Sequence, residues 1–366
     1  MPLSLGRRRI GILLAVLAVA VPASAQRYSA AQQGDVVTLT DRGTDTVVSV
    51  VPSVGNIATE MRVKGHNVLR YPHASLTDFA ARPGATGIPF MGPWANRLDE
   101  TAFYANGRRH AFDMSLGNIR GEVPIHGFVT TTNLWHVTAM GATADEASVT
   151  SRLDFYKQPS WMRQWPYAHT VEISYRLSNG VLEVATAIVN LSDDPMPVAV
   201  GFHPYFQLTD APRDQWRINV AAVTRWRLDA RKVPTGETEP AALLLPTPQV
   251  SLRDYSLDEV FSDLVRDSDG RATMTVWGAS QRLEVVLGPR YRSVVVWAPN
   301  PSGQGRGGQG DAPPQERNFI CFEPMAAISN ALNMAHRGQY GELQTIPPGG
   351  TWRESFWVRP SGFVRN

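Results

Sequence analysis

The chain has 366 residues, with 35 Lys and Arg against 33 Asp and Glu, eight His and one cysteine, and a formal net charge of +2. Arg7, Arg8 and Arg9 are the only charges in the first 25 residues, so the remainder carries −1 (32 basic against 33 acidic) and lacks the basic surplus that nucleic-acid binding requires. A lone cysteine, Cys321, excludes an intrachain disulfide and a thiolate metal site, and roughly 340 residues must instead hold together through an apolar core.

The three arginines precede an apolar run, Ile10 to Val21, followed by Ala23-Ser24-Ala25. This is the pattern of a secretory leader, too short for a stable membrane span. It predicts cleavage after Ala25, a mature chain from about Gln26 with no stable membrane insertion, and export to a periplasm or the cell exterior.

From Gln26 to Gly34 the chain is polar and reads as a weakly held arm. Residues 36–39, 47–51 and 55–63 read as the first strands, with a turn at 65–69. The Pro- and Gly-rich stretch 71–97, ending in GIPFMGPWANRLD, reads as a structured loop of the kind that carries binding groups. Asn106-Gly107 between 101–104 and 109–112 signals a hairpin, and 134–139 a further strand. Four runs rich in Val, Ile, Thr and aromatics follow, 148–156, 168–177, 181–190 and 196–206. Asn179-Gly180 joins the second to the third. Short turns between consecutive strands predict antiparallel pairing rather than βαβ units.

Strands at 216–220, 226–228, 272–277, 283–287, 293–297 and 319–322 continue the series. The proline-rich 231–255 reads as a long connection, 325–335 as a short helix or irregular loop, and 341–346 with 351–358 as a closing hairpin. Sustained helical periodicity is absent. The prediction is an all-β fold, one large antiparallel β-sandwich spanning 26–366. Gly303, Gly305 and Gly308 match the spacing of a dinucleotide fingerprint, but no helix pattern follows them to receive a pyrophosphate. They read as part of a flexible Gly/Gln/Pro-rich insertion, 302–317.

His203 stands at the end of the alternating run VAVGFHPYFQL, boxed in by aromatics and Pro204, either on a pocket rim or fixed by packing. Glu323 ends the apolar run 319–322, before Pro324. A carboxylate there is a site residue or a salt-bridge anchor, and partial drying raises its pKa toward the range of a general base. His126 precedes Gly127, which lets backbone approach a ligand closely. Arg97 follows Asn96 in a loop thick with Pro and Trp, and Asp258 lies in SLDEVF. His110, His136 and His169 read as structural or surface. No HExxH motif or carboxylate cage suggests a metal.

Taken in order, GPWANRL, PIHGF, GFHPYF, SLDEVF and FEPMAAISNALN resemble the aldose 1-epimerase (mutarotase) family and its galactose mutarotase-like relatives, over roughly 47–358. The matching positions are Asn96-Arg97, His126-Gly127, His203, Asp258, and Glu323 with Asn330 or Asn333 downstream. Gly127-Phe128 stands where the family commonly has two glycines, and CFEP resembles a branch that includes hexose-phosphate mutarotases. The resemblance implies the galactose mutarotase-like sandwich and the interconversion of α and β anomers of a free aldose, without a cofactor. It implies Glu323 as base at O1 and His203 as acid at O5, facing each other across a gap one sugar ring wide. His126, Arg97, Asp258 and Asn96 would hold the sugar. Read from their residue type alone, Trp94, Trp297, Tyr205 and Phe90 are either stacking surfaces for sugar C–H faces or core and rim packing. The alternatives are a noncatalytic secreted carbohydrate-binding protein and another sugar-acting enzyme, an isomerase or lyase, on the same fold.

Overall fold

Strict apolar-polar alternation in Ala147–Asp154, His169–Ser178 and Val181–Asn190 buries one face of each strand and leaves the other toward solvent. In the computed structural model, which describes residues 26–115, 118–246, 248–300 and 317–365, these strands lie side by side in a nine-stranded antiparallel sheet. The sheet continues through Thr351–Ser361, Arg282–Leu287, Ala272–Trp277 and Arg217–Asn219 to Val250–Ser251, and His136–Ala142 forms its other edge.

A seven-stranded sheet packs against it, in the order Pro234–Pro240, Ala222–Leu228, Leu257–Leu264, Ser293–Ala298, Cys321–Met325, Gly201–Phe202, Phe90–Met91. Phe202 of this sheet meets Phe356 of the other at 5.0 Å between ring centroids. Runs such as SVVVWA and CFEPM are almost wholly buried, because one face meets the opposing sheet and the other is covered by loops. A five-stranded antiparallel sheet, from Tyr28–Gln33 to His66–Asn67, adds Val37, Leu39, Val48 and Val50 to the same core. The fold is all-β and antiparallel, as the sequence predicts.

Several local readings change. The expected loose arm is an edge strand, Tyr28–Gln33, paired along its length with Val36–Asp41. Tyr28 is buried and its hydroxyl accepts from the Asn179 N–H at 3.0 Å, so one aromatic anchor outweighs the polar stretch behind it. The run 196–206 is not one strand. Met196–Val198 pairs with Gln344–Ile346, whereas Gly201–Phe202 pairs with Phe90–Met91 in the seven-stranded sheet. Within the connection 231–255, Pro234–Pro240 is an edge strand, where prolines cost no ladder hydrogen bond on the solvent side. The closing hairpin does not form: Thr351–Ser361 inserts between Val181–Asn190 and Arg282–Leu287. Turn chemistry is local, whereas these partners are set by distant apolar faces.

The leader, residues 1–25, and residues 302–316 of the insertion lie outside the described residues. No described helix is long and apolar enough to cross a membrane.

His169, read as structural or surface, is buried, stacks on Phe155 at 4.1 Å and donates from Nδ1 to Tyr167 O at 2.7 Å. Burial lowers its pKa from 6.5 to about 4. Between those values the unfolded chain binds a proton that the fold refuses, so stability is full above the unfolded pKa and is lost as pH falls toward the folded one. The loss amounts to about 3 kcal/mol at most. Urea unfolding at neutral pH and at about pH 4.5 should show this loss in the wild type and a smaller one in His169→Gln. Equal pH dependence in the two proteins would refute it.

Candidate active site

Ladder register brings the chemistry together. Asp258 pairs with Trp297, Trp297 with Cys321, and Val295 with Glu323. Because side chains alternate, Asp258, Trp297 and Glu323 share one face, whose next residues Val260, Val295 and Met325 pack in a cluster separate from the main core. Phe261, Val296 and Phe322, on the opposite face of the same strands, point into that core. Asp258 thus lies in the strand Leu257–Leu264, which sequence reading did not identify.

Gly201 pairs with Met325 in the next antiparallel ladder. Two residues onward on one strand and two back on the other set His203 beside Glu323. His203 Nε2 lies 3.2 Å from Glu323 Oε1. The expected gap of one ring width is therefore absent, because both side chains rise from the same ladder. The His203 ring stacks on Tyr205 at 4.6 Å, with Trp297 edge-on at 5.6 Å, and the His203 backbone N–H donates to Pro89 O at 3.0 Å.

Asn96 and His126 fix each other. The His126 N–H donates to Asn96 O at 3.0 Å, and the Asn96 N–H donates to His126 Nδ1 at 3.2 Å. Both residues have positive φ, 57° and 59°, a conformation that non-glycine residues hold only where the surroundings impose it. Since Nδ1 accepts, a neutral His126 carries its proton on Nε2 and presents a donor to the cleft. Gly127 serves a different purpose from the one expected. A Cβ there would lie 2.0 Å from Gly92 O, so the glycine admits the neighbouring loop rather than a ligand.

Arg97 donates from Nη1 to Asn96 Oδ1 at 3.2 Å and from Nη2 to Asp258 Oδ2 at 3.3 Å. Behind it, Asn330 donates its N–H to Arg97 O at 2.9 Å and accepts from the Asp99 N–H at 3.2 Å. Asn333 donates to Asp99 Oδ1 at 2.8 Å. These two asparagines hold the Arg97 loop and do not line the cleft.

Glu323 is 1 % exposed. Burial pushes its carboxyl well above the ordinary 4.5, the Asp258 charge adds to the rise, and Arg97 and the Asn96 amide oppose it. All six residues singled out from sequence, Asn96, Arg97, His126, His203, Asp258 and Glu323, line one open cleft of about 240 Å³. Tyr205 and Trp297 line it too, with Ile119 and Ile125 from the ribbon Asn118–Arg120 and Val123–Ile125. Strands of three residues leave too little periodicity to read, so the ribbon was missed. Of the aromatics read as stacking or packing residues, Trp94 and Phe90 are core side chains at 1 % and 2 % exposure.

Sequence reading also passed over Arg213. Its buried guanidinium donates to Leu252 O at 2.5 Å, Tyr255 O at 2.6 Å and Ala298 O at 2.7 Å, clamping the ends of the strands that carry Asp258 and Trp297. Among the described residues, no group of three or more His, Cys, Asp or Glu is placed to hold a metal ion.

A family profile described as aldose 1-epimerase matches residues 35–358. The chain belongs to the aldose 1-epimerase family. Membership points to sugar epimerase or mutarotase chemistry in general. Solved structures share the fold. A galactose mutarotase-like protein from Clostridium acetobutylicum is 22 % identical with a TM-score of 0.75, the match covering 92 % of this chain and 98 % of that one. Galactose 1-epimerase from Lactobacillus acidophilus is 17 % identical with a TM-score of 0.66, over 91 % and 98 %. An aldose epimerase homologue from C. elegans is 15 % identical, also at 0.66, over 87 % and 96 %. This member of the family therefore has the galactose mutarotase-like sandwich, with its open cleft on the seven-stranded sheet.

Proposed function

We propose that the protein interconverts the α and β anomers of a free aldose by acid-base ring opening and closure, and that it does so after export, as the leader pattern suggests. The observation that carries this reading is the 3.2 Å contact between Glu323 Oε1 and His203 Nε2 in a cleft of sugar-binding size. O1 and O5 are both bonded to C1, so groups serving them must stand side by side.

In the forward direction Glu323 takes the O1 proton and the C1–O5 bond breaks. Its electron pair goes to O5, which receives a proton from His203. Rotation about C1–C2 then presents the other face of the aldehyde. In closure O5 attacks C1 and returns its proton to His203, while Glu323 reprotonates O1. Proton and charge are restored over the cycle, so no cofactor enters it. His126 Nε2–H and the Arg97 fork supply donors to hydroxyls, Asp258 an acceptor, and Trp297 and Tyr205 apolar walls for C–H faces.

Following the polarimetric decay of freshly dissolved glucose, galactose, xylose, arabinose and glucose 6-phosphate tests the proposal. Acceleration of at least one free aldose in proportion to protein is expected. Sugar binding without acceleration for every one of them would make the protein a carbohydrate binder instead.

Catalysis as base needs ionised Glu323, so the rate should climb as pH rises through the elevated carboxyl pKa. Asp258→Asn removes a charge that holds this pKa up and frees Arg97, so the acidic limb of the pH-rate profile should move to lower pH. KM should rise as well, through the lost sugar acceptor. An acidic limb that stays in place or moves upward counts against Asp258 setting the carboxyl's titration.

A further inference from the structure

A second concavity, of about 530 Å³, lies on the exposed face of the nine-stranded sheet, whereas the acid-base cleft is on the seven-stranded one. We propose that this trough is a separate, non-catalytic site that binds a neutral saccharide chain.

Its floor is the strand Val181–Asn190, where positions 185 and 187 both face outward as alanine. Register sets Ala185 between Ser174 and Ser355, and Ala187 between Glu172 and Arg353. Neighbouring strands lie about 4.8 Å apart, so the truncated middle strand opens a channel about 10 Å wide between two walls. That width suits a pyranose ring with its hydroxyls directed sideways.

The walls carry the groups that recognise such a ligand. Glu172 and Ser174 stand on one side, Arg353 and Ser355 on the other, so donors and acceptors alternate along both. The charges around the floor balance, Arg176 and Arg353 against Glu172 and Glu183, which complements a neutral polyol rather than a nucleic acid or an acidic glycan. Glu183 accepts from Ser355 Oγ at 2.7 Å and from Arg176 Nη1 at 3.3 Å, holding the two walls across the floor. The Arg353 guanidinium makes no ion pair or hydrogen bond among the described residues, and its fork of donors stands at the trough. Trp357, with the Arg271 guanidinium 4.3 Å from its ring centre, supplies an aromatic surface at one end. The exposed large aliphatic side chains of the described residues lie elsewhere, so a protein partner would find no such anchor here.

Calorimetry with maltohexaose, cellohexaose and xylohexaose on the full chain tests the site. At least one should bind both the wild type and a Glu323→Gln variant. Ala185→Tyr, which fills the floor from the solvent side, should weaken that binding by about tenfold or more and leave anomer exchange of a free aldose unchanged. Arg353→Gln and Trp357→Ala give independent readings should the tyrosine variant fold poorly. The proposal is overturned if none of the hexasaccharides binds, if these three substitutions leave binding unaltered, or if a monosaccharide that occupies the acid-base cleft displaces the chain. Absence of anomer exchange in the wild type, with chain binding intact, would count only against the acid-base reading.

Discussion

Glu323→Gln is expected to slow anomer exchange by about 10²- to 10⁴-fold while leaving sugar affinity within a small factor. Glutamine keeps the shape of the side chain and its place opposite Val295, but cannot accept the O1 proton. Stability separates this result from simple damage. Because the folded carboxyl titrates well above 4.5, the unfolded chain ionises first as pH rises, and the fold loses stability through that window. Removing the ionisable group removes the penalty. The variant should therefore be at least as stable as the wild type in urea at neutral pH. Retained turnover, or turnover lost together with the fold, would contradict the assignment of Glu323 as base.

His203→Asn should bring a loss of similar size, about 10²- to 10⁴-fold, for the complementary reason. Asparagine preserves a hydrogen-bond donor at the strand end but has no proton to deliver to O5. Its signature is in the pH-rate profile, where the alkaline limb set by loss of the acid's proton should disappear. His126→Asn, by contrast, should act mainly through KM, since His126 is held as a donor by the Asn96 N–H and plays no part in the proton transfers. If His203→Asn changes KM alone, His203 is a binding residue and the acid must be sought elsewhere in the cleft.

These assignments bear on what a single sequence can disclose. The three alternating strands at the centre of the nine-stranded sheet were legible because each carries its own burial pattern. The identities of the six cleft residues were legible too, since imidazole, carboxylate and guanidinium groups in loops and at strand ends stand out chemically, and their order resembles a family. Their spacing was not. Whether His203 faces Glu323 across a ring or touches it depends on the register between Gly201–Phe202 and Cys321–Met325, segments far apart in the chain. The strand carrying Asp258 escaped notice because LDEVFSDL mixes acidic residues with apolar ones, and Glu259 is buried there only through its pairing with Arg225 at 2.8 Å. Arg213 escaped for a related reason. Nothing local marks an arginine in a turn as the clamp of two distant strand ends.

The two single variants leave one question that only their combination answers: whether Glu323 and His203 work as one unit. The measurement is the anomer-exchange rate of a free aldose, by two-dimensional exchange NMR, for wild type, both single variants and the double variant Glu323→Gln/His203→Asn. Groups that carry one proton cycle between them lose nearly everything when either is removed, so the double variant should be no slower than the slower single one. A double variant slower by the product of the two single losses, or a wild-type rate no faster than buffer, would contradict a paired acid and base in this cleft.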